Sequence, residues 1–156
     1  MTKNKDENEK FMRAAVKEAK KAAKQGEVPI GAVIVQDGRI ISKGRNRVEE
    51  KGDPTFHAEM SAIRKAAAFL GGWRLTGCVM YVTAEPCNMC AGAAVLARLD
   101  KVVSGTDSPK NGACGSVRDV LSDADLNHRV EYETGILKDE CESLLKKFFA
   151  KLRMSD

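Results

Sequence analysis

The chain predicts an α/β protein, a three-layer α/β/α sandwich around a mixed five-stranded sheet. Two observations carry this expectation. Helix and strand patterns alternate after an initial hairpin, the order that stacks helices on both faces of a sheet. No internal repeat and no linker divides the 156 residues. They are therefore expected to form a single domain, 1–156, with its core over about 9–152.

Each element has its own warrant. From Asn8 to Gln25 the spacing of Phe11, Ala15, Ala19 and Ala22 predicts a helix, with Lys17, Lys20, Lys21 and Lys24 on its solvated face. Gly26 ends it. Val28 to Val35 is a continuous apolar, β-branched run, as in a strand covered on both faces. Asp37-Gly38 is a hairpin turn, and Arg39 to Gly44 returns as the partner strand. Pro54 breaks the chain before a helix from His57 to Leu70, whose buried stripe is Ile63, Ala66, Ala67 and Leu70. Cys78 to Thr83 reads as the next strand. Pro86 opens a third helix running to Leu99. Its body is small and apolar on nearly every side and is expected to be buried, with Gly92 marking a close approach to the sheet. Lys101 to Gly105 is a strand and 106–116 a polar loop. Val117 to Leu121 is expected to form a turn of helix and Arg129 to Thr134 a last strand. Lys138 to Arg153 is amphipathic, with Cys141, Leu144, Leu145, Phe148 and Leu152 on its inner face.

Composition narrows the function classes. No apolar run has the length of a membrane span, and the polar segment Met1 to Lys10 lacks the apolar core of a signal peptide. The expected compartment is the cytoplasm, with no membrane partner. Five cysteines are an odd number, and two form a C-x-x-C pair, which fits a reducing compartment. Cys78, Cys114 and Cys141 read as small hydrophobes. The formal charge of +4 is compatible with a polyanionic partner without being diagnostic of one.

The chemistry concentrates in His57-Ala58-Glu59 and Pro86-Cys87-Asn88-Met89-Cys90. One imidazole and two thiols make three good zinc ligands, which describes an open, catalytic site with one position left for water. A closed structural site would need a fourth protein ligand, and neither Cys78 nor Cys114 has ligand-like spacing. A redox pair would leave His57 and Glu59 idle. Cys87 and Cys90 project from one side of a helix start, where free N–H groups favour thiolate. Zinc there lowers the pKa of water to roughly 7, giving a zinc-activated hydroxide. Glu59 lies at the head of its helix's apolar stripe, and a carboxylate facing inward suits a proton shuttle.

The pairing of H-x-E with P-C-x-x-C resembles the signature of zinc-dependent base deaminases. A closer resemblance, over roughly residues 9–152, is to bacterial tRNA-specific adenosine deaminases. It is carried by Glu27-Val28-Pro29-Ile30-Gly31-Ala32, Asn46, the two zinc motifs, Tyr81-Val82-Thr83, Gly112-Ala113-Cys114-Gly115-Ser116, Asn127-His128-Arg129 and the Cys141 to Phe149 helix. The resemblance implies a cytidine deaminase-like fold and a homodimer. It implies hydrolysis of adenosine to inosine at the wobble position of a tRNA anticodon stem-loop. It further implies one Zn2+ per subunit on His57, Cys87 and Cys90, with Glu59 as proton shuttle and Asn46 hydrogen-bonded to the base. Lys110, Asn127, His128 and Arg129 would contact the anticodon loop. Two other readings stand beside it: a deaminase of a small free base or nucleoside, of guanine or cytosine type, and a non-catalytic tRNA-binding protein. Phe56, Ala84, Ser104 and Ser108 depart from the family pattern and bear on the pocket mouth.

Overall fold

A computed structural model describes residues 2–154. The helices are α1 (Thr2–Lys24), α2 (Val48–Lys51), α3 (Ala58–Leu70), α4 (Asn88–Leu96) and α5 (Lys138–Met154). The strands are β1 (Gly31–Gln36), β2 (Arg39–Arg45), β3 (Cys78–Ala84), β4 (Lys101–Thr106) and β5 (Glu131–Glu133), in the sheet order β2-β1-β3-β4-β5. The β1 strand is antiparallel to both β2 and β3, whereas β3, β4 and β5 run parallel. The expected mixed five-stranded sheet is the observed one.

Both faces of the sheet are covered, and the two-residue period of a strand sorts its side chains between them. Ala32, Ile34, Met80, Val82 and Val102 pack with Ala58, Ala62, Ala66, Ala91 and Ala94 of α3 and α4. Their neighbours Val33, Val35, Tyr81 and Val103 pack with Phe11, Met12, Ala15 and Val16 of α1 and with Cys141 of α5. Among the described residues, no helix is long and apolar enough to cross a membrane.

Several boundaries differ from expectation, each for a physical reason. The α1 helix starts at Thr2 because its polar first turns continue the helix without an apolar period to reveal them. Strand β1 begins only at Gly31. Pro29 has no N–H to give a ladder, and the Ile30 N–H turns back to the Val28 carbonyl at 2.8 Å. The third helix is shorter at both ends. Cys87 is its N-cap, and Arg98, with φ of 62°, stops it in the left-handed region. That helix is not buried all round, since Leu96 is 70% exposed. A Cβ at Gly92 would meet nothing within 4 Å, so no close approach occurs there. Residues 117–121 form no helix, and an isolated antiparallel bridge joins Cys114 to Asp119 instead. The last strand is trimmed to Glu131–Glu133.

The close approach that matters for the site is at Gly44. A Cβ there would lie 2.3 Å from the Ala58 carbonyl oxygen and 2.8 Å from the Ala62 nitrogen. Beside it the Ser42 hydroxyl donates to the Ala62 carbonyl at 2.8 Å. Together they seat the first turn of α3 on β2, and so set where His57 and Glu59 project. Gly44→Ala is expected to destabilise the fold by about 1–3 kcal/mol through overpacking. A lower urea midpoint at unchanged slope is the predicted readout; an unchanged midpoint would mean that the contact relaxes freely.

Candidate metal centre

Helices α3 and α4 both begin beyond the ends of sheet strands, and their first residues meet. His57 is the N-cap of α3 and Cys87 the N-cap of α4, both in extended backbone. The His57 Nδ1 atom lies 3.7 Å from Cys87 Sγ and 3.5 Å from Cys90 Sγ. An ion bound tetrahedrally, about 2.3 Å from sulfur and about 2.0 Å from nitrogen, requires an N-to-S edge of about 3.5 Å. The two observed edges, 3.5 and 3.7 Å, lie at that value and 0.2 Å above it, so His57 stands at ligand spacing from both sulfurs. Among the described residues, they are the one group of His, Cys, Asp and Glu side chains whose ligand atoms all lie within 4.8 Å of one another. Cys78 and Cys114 are buried free thiols outside it, so this group offers no fourth protein ligand.

The electrostatics suit metal binding. The Cys87 thiol is drawn down to about 3, first by its hydrogen bond with Cys90 and further by His57. Cys90 is pushed upward by that same bond and by burial. Metal ligation requires thiolate, and the pull on Cys87 is toward that form. Glu59 is 4% exposed. Burial pushes its carboxyl up, with His57 and the Cys90 thiol pulling the other way. A carboxyl raised from the ordinary range is closer to neutrality and can both take and return a proton.

The centre lies in a cavity of about 580 Å³ lined by His57, Glu59, Cys87 and Asn46. Asn46 is 7% exposed. Its amide donates to the Val28 carbonyl and accepts from the Val48 N–H, both at 3.4 Å. Those contacts are long, so the amide keeps capacity for a base edge. Ser108 and Asn111 form one wall, and Leu145, Phe148, Phe149 and Leu152 of α5 form another. On α5, only part of the expected inner face reaches the core. Cys141 and Leu144 pack under the sheet, while Leu145, Phe148 and Leu152 face the cavity.

The remaining expected contacts lie elsewhere. Lys110 is outside the cavity, in a neighbouring groove shared with Lys138, Lys146 and Arg153. Asn127, His128 and Arg129 precede β5 and do not line the cavity. His128 Nε2 lies 2.7 Å from the Leu99 carbonyl oxygen, before β4 begins. That places it roughly 20 Å along the strand from the end where the cysteines sit. Of the four departures, Ala84 and Ser108 line the cavity. Phe56 sits under the Arg47 guanidinium, 5.6 Å from the ring centre, and Ser104 is buried against Tyr132 and Thr134.

Two functional residues escaped the sequence reading of roles, Glu27 and Glu85. Glu27 is 1% exposed and accepts from the Glu49 and Glu50 N–H groups at 3.0 and 2.8 Å, fixing α2 beside Asn46. Glu85 does the same for the 106–116 loop. Burial pushes its carboxyl up, but donors from Ser116, Ser108 and Cys114 outweigh this and hold it below the usual carboxylate range. Their signal was position: each is a carboxylate beside a strand end, in a stretch otherwise apolar.

Residues 6–153 match the family model described as MafB19-like deaminase. The chain is 48% identical over 147 residues to the tRNA-specific adenosine deaminase of Bacillus subtilis, covering 94% of this chain and 91% of that protein. The chain belongs to the tRNA-specific adenosine deaminase family. A solved structure from studies of A-to-I editing by tRNA:A34 deaminases at the wobble position of transfer RNA superposes with a TM-score of 0.84 at 42% identity. It covers 86% of this chain and 98% of that one. A guanine deaminase from Bacillus subtilis is 44% identical over 64% of each chain, with a TM-score of 0.61. Deaminase chemistry, a hydrolytic activity, is therefore the chemistry of this family member, and the His-Cys-Cys cluster is compatible with its metal.

Proposed function

We propose that this protein converts adenosine to inosine at the wobble position of a tRNA anticodon, as one deaminase domain holding one zinc ion per subunit. The observation that carries this is the His57, Cys87 and Cys90 tripod with buried Glu59 beside it, in a cavity that shares Leu145 and Phe149 with a neighbouring groove holding more basic than acidic residues. Zinc supplies the Lewis acidity that makes water a nucleophile at neutral pH. Beside the tripod, Glu59 would take a proton from the attacking water and hand it to the purine ring nitrogen, then carry the second water proton to the departing amine, so that adenosine and water give inosine and ammonia. Asn46 holds the base edge. The α5 wall, with Phe148 and Phe149, excludes water from around the splayed base.

A small-molecule deaminase is the second reading, favoured by the guanine deaminase neighbour. The groove distinguishes the two. Lys110, Lys138, Lys146 and Arg153 outnumber Asp107 and Glu142 there, with Lys146 already paired to Glu142 at 2.7 Å. This excess of cations beside the cavity suits phosphates flanking a target base, which a free base lacks. For Asn127, His128 and Arg129, contact with RNA would fall outside the base cavity. Free, buried cysteines support a reducing, cytoplasmic setting.

Purified protein should form inosine in an anticodon stem-loop bearing A at the wobble position and leave free guanine, cytidine and adenosine unchanged. Guanine consumed with no inosine in the RNA would sink the tRNA reading. Glu59→Gln should keep its metal and its RNA affinity while kcat falls by about 10²–10⁴; a fully active variant would remove the shuttle role.

We further propose a homodimer through the outer face of α4. Leu96, the last residue of α4, is 70% exposed, and Trp73, just past α3, is 54% exposed with Arg98, just past α4, over its ring at 5.9 Å. An apolar patch of this kind marks an interaction surface. Sedimentation should show a dimer that Leu96→Glu converts to monomer, and a dimer untouched by that charge would place the interface elsewhere.

A further inference from the structure

Beyond Thr106, the last residue of β4, the loop up to Ser116 has no helix and no strand pairing except the Cys114 bridge to Asp119, yet it forms one wall of the cavity and carries Lys110. Its shape depends on a side chain outside it. Glu85, the residue after β3, is 4% exposed and forms no salt bridge among the described residues. One carboxylate oxygen accepts the Ser108 N–H at 3.0 Å and the Ser116 hydroxyl. The other accepts the N–H groups of Cys114 at 2.9 Å and Ser116 at 3.1 Å. The Glu85 backbone joins the same loop. Its N–H donates to the Thr106 carbonyl at 2.8 Å, and its carbonyl accepts the Ser108 hydroxyl at 3.1 Å. Gly112 lies flat on the carboxylate, so that a Cβ there would stand 2.4 Å from Cδ. A buried charge is tolerable only where its lone pairs are filled. Here one loop fills them, and the loop takes the carboxylate as its template in return.

We propose that Glu85 is a positioning residue for the RNA substrate: by clamping loop 106–116 it sets the cavity wall at Ser108 and Asn111 and the approach of Lys110 to the anticodon strand. The clamp deepens the tRNA reading above and rests on it. Glu85 neither ligates the metal nor moves the reacting protons. Its loss should therefore appear in substrate capture more than in turnover.

The test combines metal content, hydrogen exchange and kinetics on an anticodon stem-loop with A at the wobble position. Glu85→Gln puts an NH2 where the loop needs an acceptor. It should hold metal like the wild type while the Ser108, Cys114 and Ser116 amides exchange about 100-fold faster. KM for the stem-loop should rise about tenfold with a smaller change in kcat. Gly112→Ala keeps the carboxylate but displaces the loop, and should give the same pattern. Ser116→Ala removes only one hydroxyl donor from an exposed position, so it folds, and should raise KM about threefold. Loop amides as protected as in the wild type, or kcat lost at unchanged KM, would overturn the clamp. A wild-type protein that leaves the stem-loop unmodified would overturn the substrate reading and the RNA part of this proposal, while the exchange data decide the clamp separately.

Discussion

The meeting of two helix starts at one end of the sheet is the constraint on which the site depends. Three ligand atoms must come within 4.8 Å of one another, yet one belongs to the start of α3 and two to the start of α4, with β3 between them in the chain. The antiparallel steps from β2 to β1 and from β1 to β3 point β2 and β3 the same way, so α3 and α4, which follow them in the chain, start at the same end of the sheet. Gly44 lets β2 lie against the first turn of α3, and the alanines of α3 and α4 let both helices pack low on the sheet. The tripod is thus a product of small residues as much as of its ligands.

Around this rigid centre the walls are held differently. Glu27 fixes α2 through two backbone amides, and Glu85 fixes the 106–116 loop through three, together with the Ser116 hydroxyl. Irregular segments contribute few apolar contacts of their own, so a buried carboxylate filled by their N–H groups substitutes for a core. The division has a functional logic. The chemistry sits on helix ends packed into the sandwich, and substrate selection sits on loops whose shape rests on one charge each.

What was legible in the sequence follows the range of the interaction concerned. His57 and Glu59 share one helix start and Cys87 and Cys90 another, so spacing along the chain placed each pair and the chemistry named the rest. The central strands are nearly continuous buried runs, the mark of strands covered on both faces, and the sheet was readable from them. The amphipathic stripe of α5 was visible, but not that Leu145, Phe148 and Leu152 leave the core to line a cavity, because an apolar wall and an apolar core share one pattern. Gly92 looked like a contact and Gly44 did not, since whether a glycine is crowded depends on a partner distant in sequence. The α2 turn and the bridge at Cys114 and Asp119 are held by long-range hydrogen bonds that carry no local periodicity. For His128, proximity in a motif said nothing of its place at the far end of β4.

The account turns on an open tripod with three protein ligands and no fourth. X-ray absorption at the zinc edge of the purified protein tests this most directly. The prediction is two sulfurs at about 2.3 Å and two lighter atoms, nitrogen or oxygen, at about 2.0 Å. Three or more sulfurs would mean that another cysteine closes the coordination, and the site would be structural rather than catalytic.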